Sequence, residues 1–71
     1  MDDYYEGKLK RAETKRWSIG DNYEITSGEV IEVKIQDHWI TTRIEHNGKD
    51  YYAVTPGILL QIGLLARQRL R

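Results

Sequence analysis

The sequence predicts a mainly β fold: a small, partly open antiparallel barrel of about five strands, with a short helical turn before the last strand. Apolar and polar residues alternate with a period of two through much of residues 30–54, which is the pattern of half-buried strands. Two short turn signals divide this stretch into three strands. With only 71 residues, the chain is expected to form one domain over 1–71, in which 1–6 make a loose N-terminal segment.

The first predicted hairpin joins a strand at 30–36 to a strand at 39–46 through a two-residue turn at 37–38. In this register Glu32 lies directly opposite Arg43. Opposite charges across a strand pair stabilise it by a few tenths of a kcal/mol up to ~1 kcal/mol. The turn residues are Asp37 and His38, and His is among the residues other than glycine that better tolerate a positive φ.

The second predicted hairpin turns at Asn47-Gly48, the strongest short signal for a two-residue type I′ turn. The register that follows places Arg43 opposite Tyr52. A slip by one residue would carry the apolar side chains into water, so the faces are well determined. The inner face is predicted to contain Ile31, Val33, Ile35, Ile40, Ile44, Tyr51 and Ala53, and the outer face Glu32, Lys34, Thr41, Arg43 and Tyr52.

The N-terminal region contains two further stretches, 7–12 and 15–19, which we interpret as a hairpin or as two short strands. Leu9, Trp17 and Ile19 are the expected inward residues. Residues 26–28 form a turn that leads into the strand at Val30.

The tail, 55–71, has two interpretations. Thr55-Pro56 fits a helix start, with a capping hydroxyl before a proline at the first helical position. The favoured alternative has a helical turn over 58–62 and a final strand over 64–70. That strand would return to the N-terminal strand and cover an otherwise unpaired sheet edge.

Composition limits the functional classes. The chain has no cysteine and a formal net charge of zero, so disulfides and cysteine-based zinc sites are excluded and bulk electrostatics indicates no partner. No apolar run reaches the ~20 residues of a membrane span. We expect a cytoplasmic protein that binds no membrane, no metal and no cofactor. His38 and His46 lie at opposite ends of one predicted strand, which is unsuited to a shared metal.

No convergent catalytic set is present, so we predict a non-enzymatic binding or accessory module that binds an unidentified protein or self-associates. Its predicted contact residues are Trp39, Arg43 and Tyr52 on the outer face, a composition typical of binding hot spots. The alternative is purely structural: Arg43 would form a salt bridge and stack on Tyr52, and Trp39 would close the barrel end. A free sheet edge could also accept an extended peptide.

Basic residues suggest a second function, nucleic-acid binding without sequence preference. If the first and last strands pair, one side of the domain gathers positive charge suited to phosphate backbones. The competing interpretation is a charged edge that prevents aggregation, with nearby acidic residues neutralising it. The cluster would comprise Lys8, Lys10, Arg11, Arg67, Arg69 and Arg71.

The middle of the chain also resembles a known family. The strings Ile25-Thr26-Ser27-Gly28-Glu29, Trp39-Ile40-x-Thr42-Arg43-Ile44-Glu45 and Tyr51-Tyr52-Ala53 resemble a domain-of-unknown-function family of short proteins, found mainly in Gram-positive bacteria and on their mobile elements. The resemblance spans about residues 16–69. It implies a small barrel similar to the Src-homology-three type and implies no activity. The turn before Trp39, often glycine-containing in that family, is Asp37-His38 here.

Overall fold

A computed structural model describes residues 3–70 as one antiparallel sheet of seven strands curled into a half-barrel. Along the sheet the strands follow the order β3-β2-β1-β7-β4-β5-β6. No helix in the described residues is long and apolar enough to cross a membrane. The strands are β1 (Tyr4–Arg11), β2 (Trp17–Ile19), β3 (Glu24–Ile25), β4 (Val30–Ile35), β5 (His38–His46), β6 (Tyr51–Ala53) and β7 (Leu65–Arg69).

The predicted antiparallel β class is confirmed, whereas the count of about five strands is wrong. The two-residue strand β3 is too short to show any period in the sequence. The loose N-terminal segment is also wrong where it can be compared, because Tyr4 to Glu6 belong to β1. Met1 and Asp2 lie outside the described residues.

The predicted helical turn over 58–62 is wrong, since no helix occurs within residues 3–70. Thr55 and Pro56 begin a β-turn instead: the N–H of Ile58 donates to the carbonyl of Thr55 at 3.2 Å, and Gly57 has φ 86°. Proline followed by a glycine at positive φ is the signature of a type II turn. A second glycine, Gly63 at φ 93°, turns the chain again before β7.

The final strand is confirmed, and the alternative of a helix through the tail is wrong. β7 lies between two strands that are distant in sequence, β1 and β4. Its register places Ala66 beside both Gly7 and Val33. The side chain of Ala66 is fully buried, so this short residue lies under the centre of the sheet, where three strands meet.

The first hairpin is shifted by two residues from the predicted register. Ile35 pairs with His38, and the two-residue turn consists of Gln36 and Asp37, at φ 50° and 66°. His38 therefore belongs to β5 and does not carry the strain of the turn. Because the shift is even, every side chain keeps its predicted face.

The second hairpin is also shifted by two residues, with Glu45 opposite Tyr52. The loop spans four residues, 47–50, because the side chain of Asn47 organises it: its Oδ1 accepts the N–H groups of Lys49 and Asp50, each at 2.9 Å. An Asn side chain that bonds to the backbone ahead of it is a common turn device. Here it replaces the predicted two-residue turn.

The core lies on the concave inner side of the sheet. The predicted inward residues of the N-terminal strands, Leu9, Trp17 and Ile19, are confirmed as buried. Trp17 also connects β2 to β6 across the gap of the half-barrel, because its Nε1 donates to the carbonyl of Tyr51 at 3.3 Å. Within residues 3–70 the buried apolar set is Leu9, Trp17, Ile19, Ile25, Ile31, Val33, Ile44 and Ala66.

Candidate binding surface

The convex outer face of the sheet carries the three residues predicted to bind a partner. Trp39 and Arg43 project from β5, four residues apart and therefore on the same face. Tyr52 projects from β6, opposite Glu45. The prediction that Arg43 lies between Glu32 and Tyr52 is wrong, because the shift in both hairpins moves its cross-strand neighbours.

Arg67 of β7, and not Arg43, is the arginine that bonds to Glu32. Its Nε lies 2.5 Å from Glu32 Oε1, and the two side chains are only 22% and 25% exposed. The guanidinium carbon also lies 4.0 Å from the ring centroid of Tyr4 and 4.1 Å from that of Trp39. We call this group, Tyr4, Glu32, Trp39 and Arg67, the arginine clamp.

The clamp connects four strands. Register places Glu32 directly beside Arg67, while the rings come from β1 and from β5 on either side. A guanidinium stacks well on aromatic faces and bonds a carboxylate at the same time, so one side chain holds several strands. Trp39 therefore does not plug the barrel end, as the structural alternative proposed, and its indole is largely occupied within the protein.

Arg43 has a different environment. Its side chain is 56% exposed, and its Nε bonds Glu45 Oε2 at 2.8 Å. Val30 is its cross-strand partner in β4, and the N–H of Val54 donates to its carbonyl at 3.0 Å. Val30 is 51% exposed and Tyr52 is 42% exposed. We call Val30, Arg43, Tyr52 and Val54 the open patch.

Besides a larger groove of about 570 Å³, to which Val30 contributes together with Gln68 and Leu70, two shallow concavities border the open patch. The first, about 200 Å³, separates it from the clamp and is lined by Val30, Thr41 and Arg67, among others. The second, about 220 Å³, lies around the β6 edge and is lined by Tyr52, Trp17 and the exposed Leu59, among others. Tyr52 thus stands at a corner between the outer face and the gap of the half-barrel.

The β6 edge offers little backbone to an added strand. The N–H and the carbonyl of Tyr51 point away from β5. The N–H donates to Asp50 Oδ1, and the carbonyl accepts from the Trp17 indole N–H. The N–H of Thr55 donates to the Thr42 hydroxyl. Among the edge residues of the described chain, Ala53 is the one whose outward backbone N–H and carbonyl show no such hydrogen bond. The strand-addition mode predicted from the sequence therefore has a very short template.

The predicted basic cluster is spread out. β1 does lie beside β7, but the pairing is antiparallel, so Arg69 lies opposite Tyr4 and Lys8 opposite Leu65. Lys10 lies six residues after Tyr4 on β1, which places it about 20 Å from Arg69 at the usual rise per residue of a strand. Arg11 lies near the loop 47–50, where its guanidinium bonds both Asp50 oxygens at 2.8 and 2.9 Å. Arg71 lies outside the described residues.

Ion pairing further reduces the basic character of this region. Arg67 bonds Glu32, Lys10 bonds Asp21, and Arg16 lies 3.7 Å from Glu24. The Lys10 ammonium lowers the pKa of the Asp21 carboxyl. The Arg11 guanidinium, helped by the backbone N–H of Tyr51, likewise lowers the pKa of Asp50. These carboxylates stay charged beside their partners.

The open patch contains residues that the sequence did not single out. Val30 was expected only as the start of a strand, and Val54 as the end of one. No sequence signal distinguishes an exposed valine at a strand end from a buried one until the register is known. His38 and His46, at the two ends of β5, remain far apart, and no group of three His, Cys, Asp or Glu residues suited to a metal occurs in residues 3–70.

Comparison with known proteins gives one relationship. The protein-family model described as Domain of unknown function (DUF5348) matches residues 7–68. No curated protein and no solved structure matches the chain significantly. The matched region covers all of β2 to β6, residues 7–11 of β1 and residues 65–68 of β7, so it includes the whole open patch and every member of the arginine clamp except Tyr4.

Proposed function

Starting from the fact that this chain belongs to the family described as Domain of unknown function (DUF5348), we propose that it is a non-enzymatic binding module for a protein partner. The family description supplies no activity, so the proposal depends on the surface. The supporting observation is the open patch, in which an exposed arginine is flanked by exposed apolar side chains on a rigid sheet.

The chemistry of the open patch defines the partner. Val30, Val54 and Tyr52 offer apolar surface to an aliphatic or aromatic side chain. Arg43 can form a bidentate ion pair with a carboxylate of the partner once it releases Glu45. Releasing Glu45 costs little free energy, because an ion pair exposed to water contributes little stability. We infer a partner segment that places an apolar side chain beside an acidic one. Such Arg and Tyr contacts are typical of binding hot spots.

Trp39 has a supporting part in this proposal. Its ring packs on Arg67 within the clamp, so it is not free to close over a partner. Of the three contact residues predicted from the sequence, Arg43 and Tyr52 are expected to contact the partner. Tyr52 also reaches the second concavity, which would extend the contact around the β6 edge.

Affinity capture with matched variants tests the proposal. The immobilised wild-type chain, Arg43→Glu and Tyr52→Ser are each exposed to a cell lysate, and retained proteins are identified by mass spectrometry. Lys49→Glu is the control, since it makes the same charge change at an exposed loop position away from the open patch. All four proteins are first compared by thermal unfolding, which should not differ by more than a few degrees.

The expected result is a protein retained by the wild type and by Lys49→Glu but lost from both open-patch variants. Purified partner should then bind with an affinity at least ~10-fold weaker for each variant. Retention by all four proteins would contradict the proposed surface. Loss from Lys49→Glu as well would show that overall charge, and not the patch, governs capture. A second copy of the chain as the captured species would identify self-association.

Nucleic-acid binding is the alternative proposal, favoured by the pairing of β1 with β7, which gathers Lys8, Arg67 and Arg69 near one another. It is weakened by the carboxylates bonded to Arg67, Lys10 and Arg11. A gel shift with duplex and single-stranded DNA at low salt tests it. Retardation that weakens steeply with salt would support phosphate contacts, and no retardation would remove this alternative.

Three finer statements stay predictions: a likeness to barrels of the Src-homology-three type, a cytoplasmic location, and an origin in Gram-positive bacteria or their mobile elements. An experimental structure would check the first, by comparing its strand order with β3-β2-β1-β7-β4-β5-β6. Cell fractionation in a native host would check the second. The genes that surround this one in its genome would check the third.

A further inference from the structure

The loop between β5 and β6 brings together groups that resemble a small reactive site. Asn47 is followed by Gly48, a pair in which the glycine amide has no side chain to hinder its approach to the asparagine carboxamide. The N–H of Gly48 donates to His46 Nδ1 at 3.2 Å. Asn47 Oδ1 accepts two backbone N–H groups, from Lys49 and Asp50, at 2.9 Å each.

Each of these contacts favours one step of imide formation. Attack by the Gly48 nitrogen requires loss of its proton, and the imidazole nitrogen lies where a general base must lie. Attack also places negative charge on Asn47 Oδ1, and two N–H donors already point at that oxygen, as in an oxyanion hole. Nucleophile and carbonyl belong to adjacent residues, so no second molecule has to be positioned.

From this arrangement we propose that Asn47 is a site of self-catalysed deamidation, with His46 as the base. The Gly48 nitrogen forms a bond to Asn47 Cγ, the Cγ–Nδ2 bond breaks, and ammonia leaves with the proton that Gly48 gave up. The product is a five-membered succinimide. Water then opens the ring at either carbonyl, giving aspartate or isoaspartate at position 47, without any oxidation or reduction.

The reaction would alter the closure of the half-barrel. The same loop carries Asp50, whose carboxylate bonds the Arg11 guanidinium from β1. Isoaspartate adds one carbon to the main chain of the loop, and either product adds a negative charge to a chain of formal net charge zero. The modified protein should therefore hold the Arg11–Asp50 contact less firmly than the fresh protein.

A time course of intact mass and peptide mapping tests the proposal. The folded wild-type chain is incubated in neutral buffer at physiological temperature beside His46→Phe, which keeps a ring against Tyr51, 4.5 Å away in the wild type, and removes the acceptor nitrogen. His46→Gln, which keeps an acceptor but no base, is the second variant. The other asparagine, Asn22, is exposed and precedes a tyrosine, so it serves as the internal control in every sample.

We expect the wild type to lose the Asn47 amide at least ~10-fold faster than either variant, while Asn22 stays intact in all three. In strong denaturant the three proteins should react at one common rate, because the turn no longer holds the imidazole against Gly48. Equal folded rates for wild type and His46→Phe would overturn the role of His46. A folded wild type that reacts more slowly than the unfolded chain would overturn the proposal as a whole.

Discussion

Arg67 and Arg43 project from the same convex face of one sheet, yet the protein uses them differently. Arg67 lies between the rings of Tyr4 and Trp39 and bonds a largely buried glutamate. The Arg43 side chain bonds Glu45 on its own strand, and more than half of it is exposed. Arg67 is therefore enclosed by protein on several sides, whereas Arg43 is covered on one side, by the sheet from which it projects.

The difference follows from position in the sheet. β7 is a central strand, with β1 on one side and β4 on the other, so a side chain on it finds neighbours in both directions. β5 also has a strand on each side, but the neighbours of Arg43 there are Val30 and Val54, which offer it neither a ring nor a carboxylate. An aromatic-flanked arginine is thus a structural feature here, and the arginine flanked by exposed valines is the one available to a partner.

The largest expected effect concerns Ile44, the immediate neighbour of Arg43 on the opposite face. Ile44 is fully buried, so Ile44→Ala should lower the free energy of unfolding by ~2–5 kcal/mol. Urea unfolding followed by tryptophan fluorescence measures this. An Ile44→Ala protein as stable as the wild type would mean that the inner and outer faces are assigned the wrong way round.

The two aromatic residues of the face should differ in the same way as the two arginines. Trp39→Ala removes one ring of the clamp and exposes Arg67, so it should cost about 2 kcal/mol. Tyr52→Ala removes a side chain that is 42% exposed and should stay within ~0.5 kcal/mol of the wild type. Thermal unfolding of both variants checks the pair, and similar losses would remove the distinction between clamp and open patch.

A double-mutant cycle isolates the charge pair at the centre of the clamp. Glu32→Gln and Arg67→Met, alone and together, should give a coupling energy of ~1–2 kcal/mol, because both groups are largely shielded from water. The same cycle on Glu45→Gln and Arg43→Met should give a coupling of at most ~0.5 kcal/mol. Equal couplings in the two cycles would show that burial does not separate them.

The sequence predicted which side of the sheet each residue faces, but not which residues are paired. Both hairpins shifted by two residues, and an even shift leaves the alternation unchanged. The turn positions depended on details that the pattern does not carry: Gln36 and Asp37 adopt positive φ without a glycine, and the Asn47 carboxamide organises a four-residue loop.

The tail was mispredicted over one segment for a specific reason. Thr55-Pro56 satisfies the rules for a helix start, but Gly57 follows at φ 86° and commits the chain to a turn. The arginine clamp was beyond sequence reasoning, because it requires β7 to insert between β1 and β4. Arg67 could be counted as a basic residue from the sequence, but its aromatic neighbours came from strands more than 25 residues away.

The smallest expected effect is on the acid side of the stability profile. Arg11 lowers the pKa of Asp50 in the folded protein, so the charged carboxylate favours folding above its ordinary pKa of about 4. That contribution is lost as the pH falls through the lowered folded value. Asp50→Asn should therefore melt slightly below the wild type at neutral pH and converge with it in acid. A difference that grows toward low pH would contradict this sign.

The most direct test of the account compares Arg67→Ala and Arg43→Ala in one urea-unfolding experiment under identical conditions. Arg67→Ala leaves Glu32 unpaired and two rings without their shared partner, so the free energy of unfolding should fall by ~2–3 kcal/mol. Arg43→Ala should change it by less than ~0.5 kcal/mol. Equal losses, or a larger loss for Arg43→Ala, would contradict the division of the outer face into a structural clamp and an open patch.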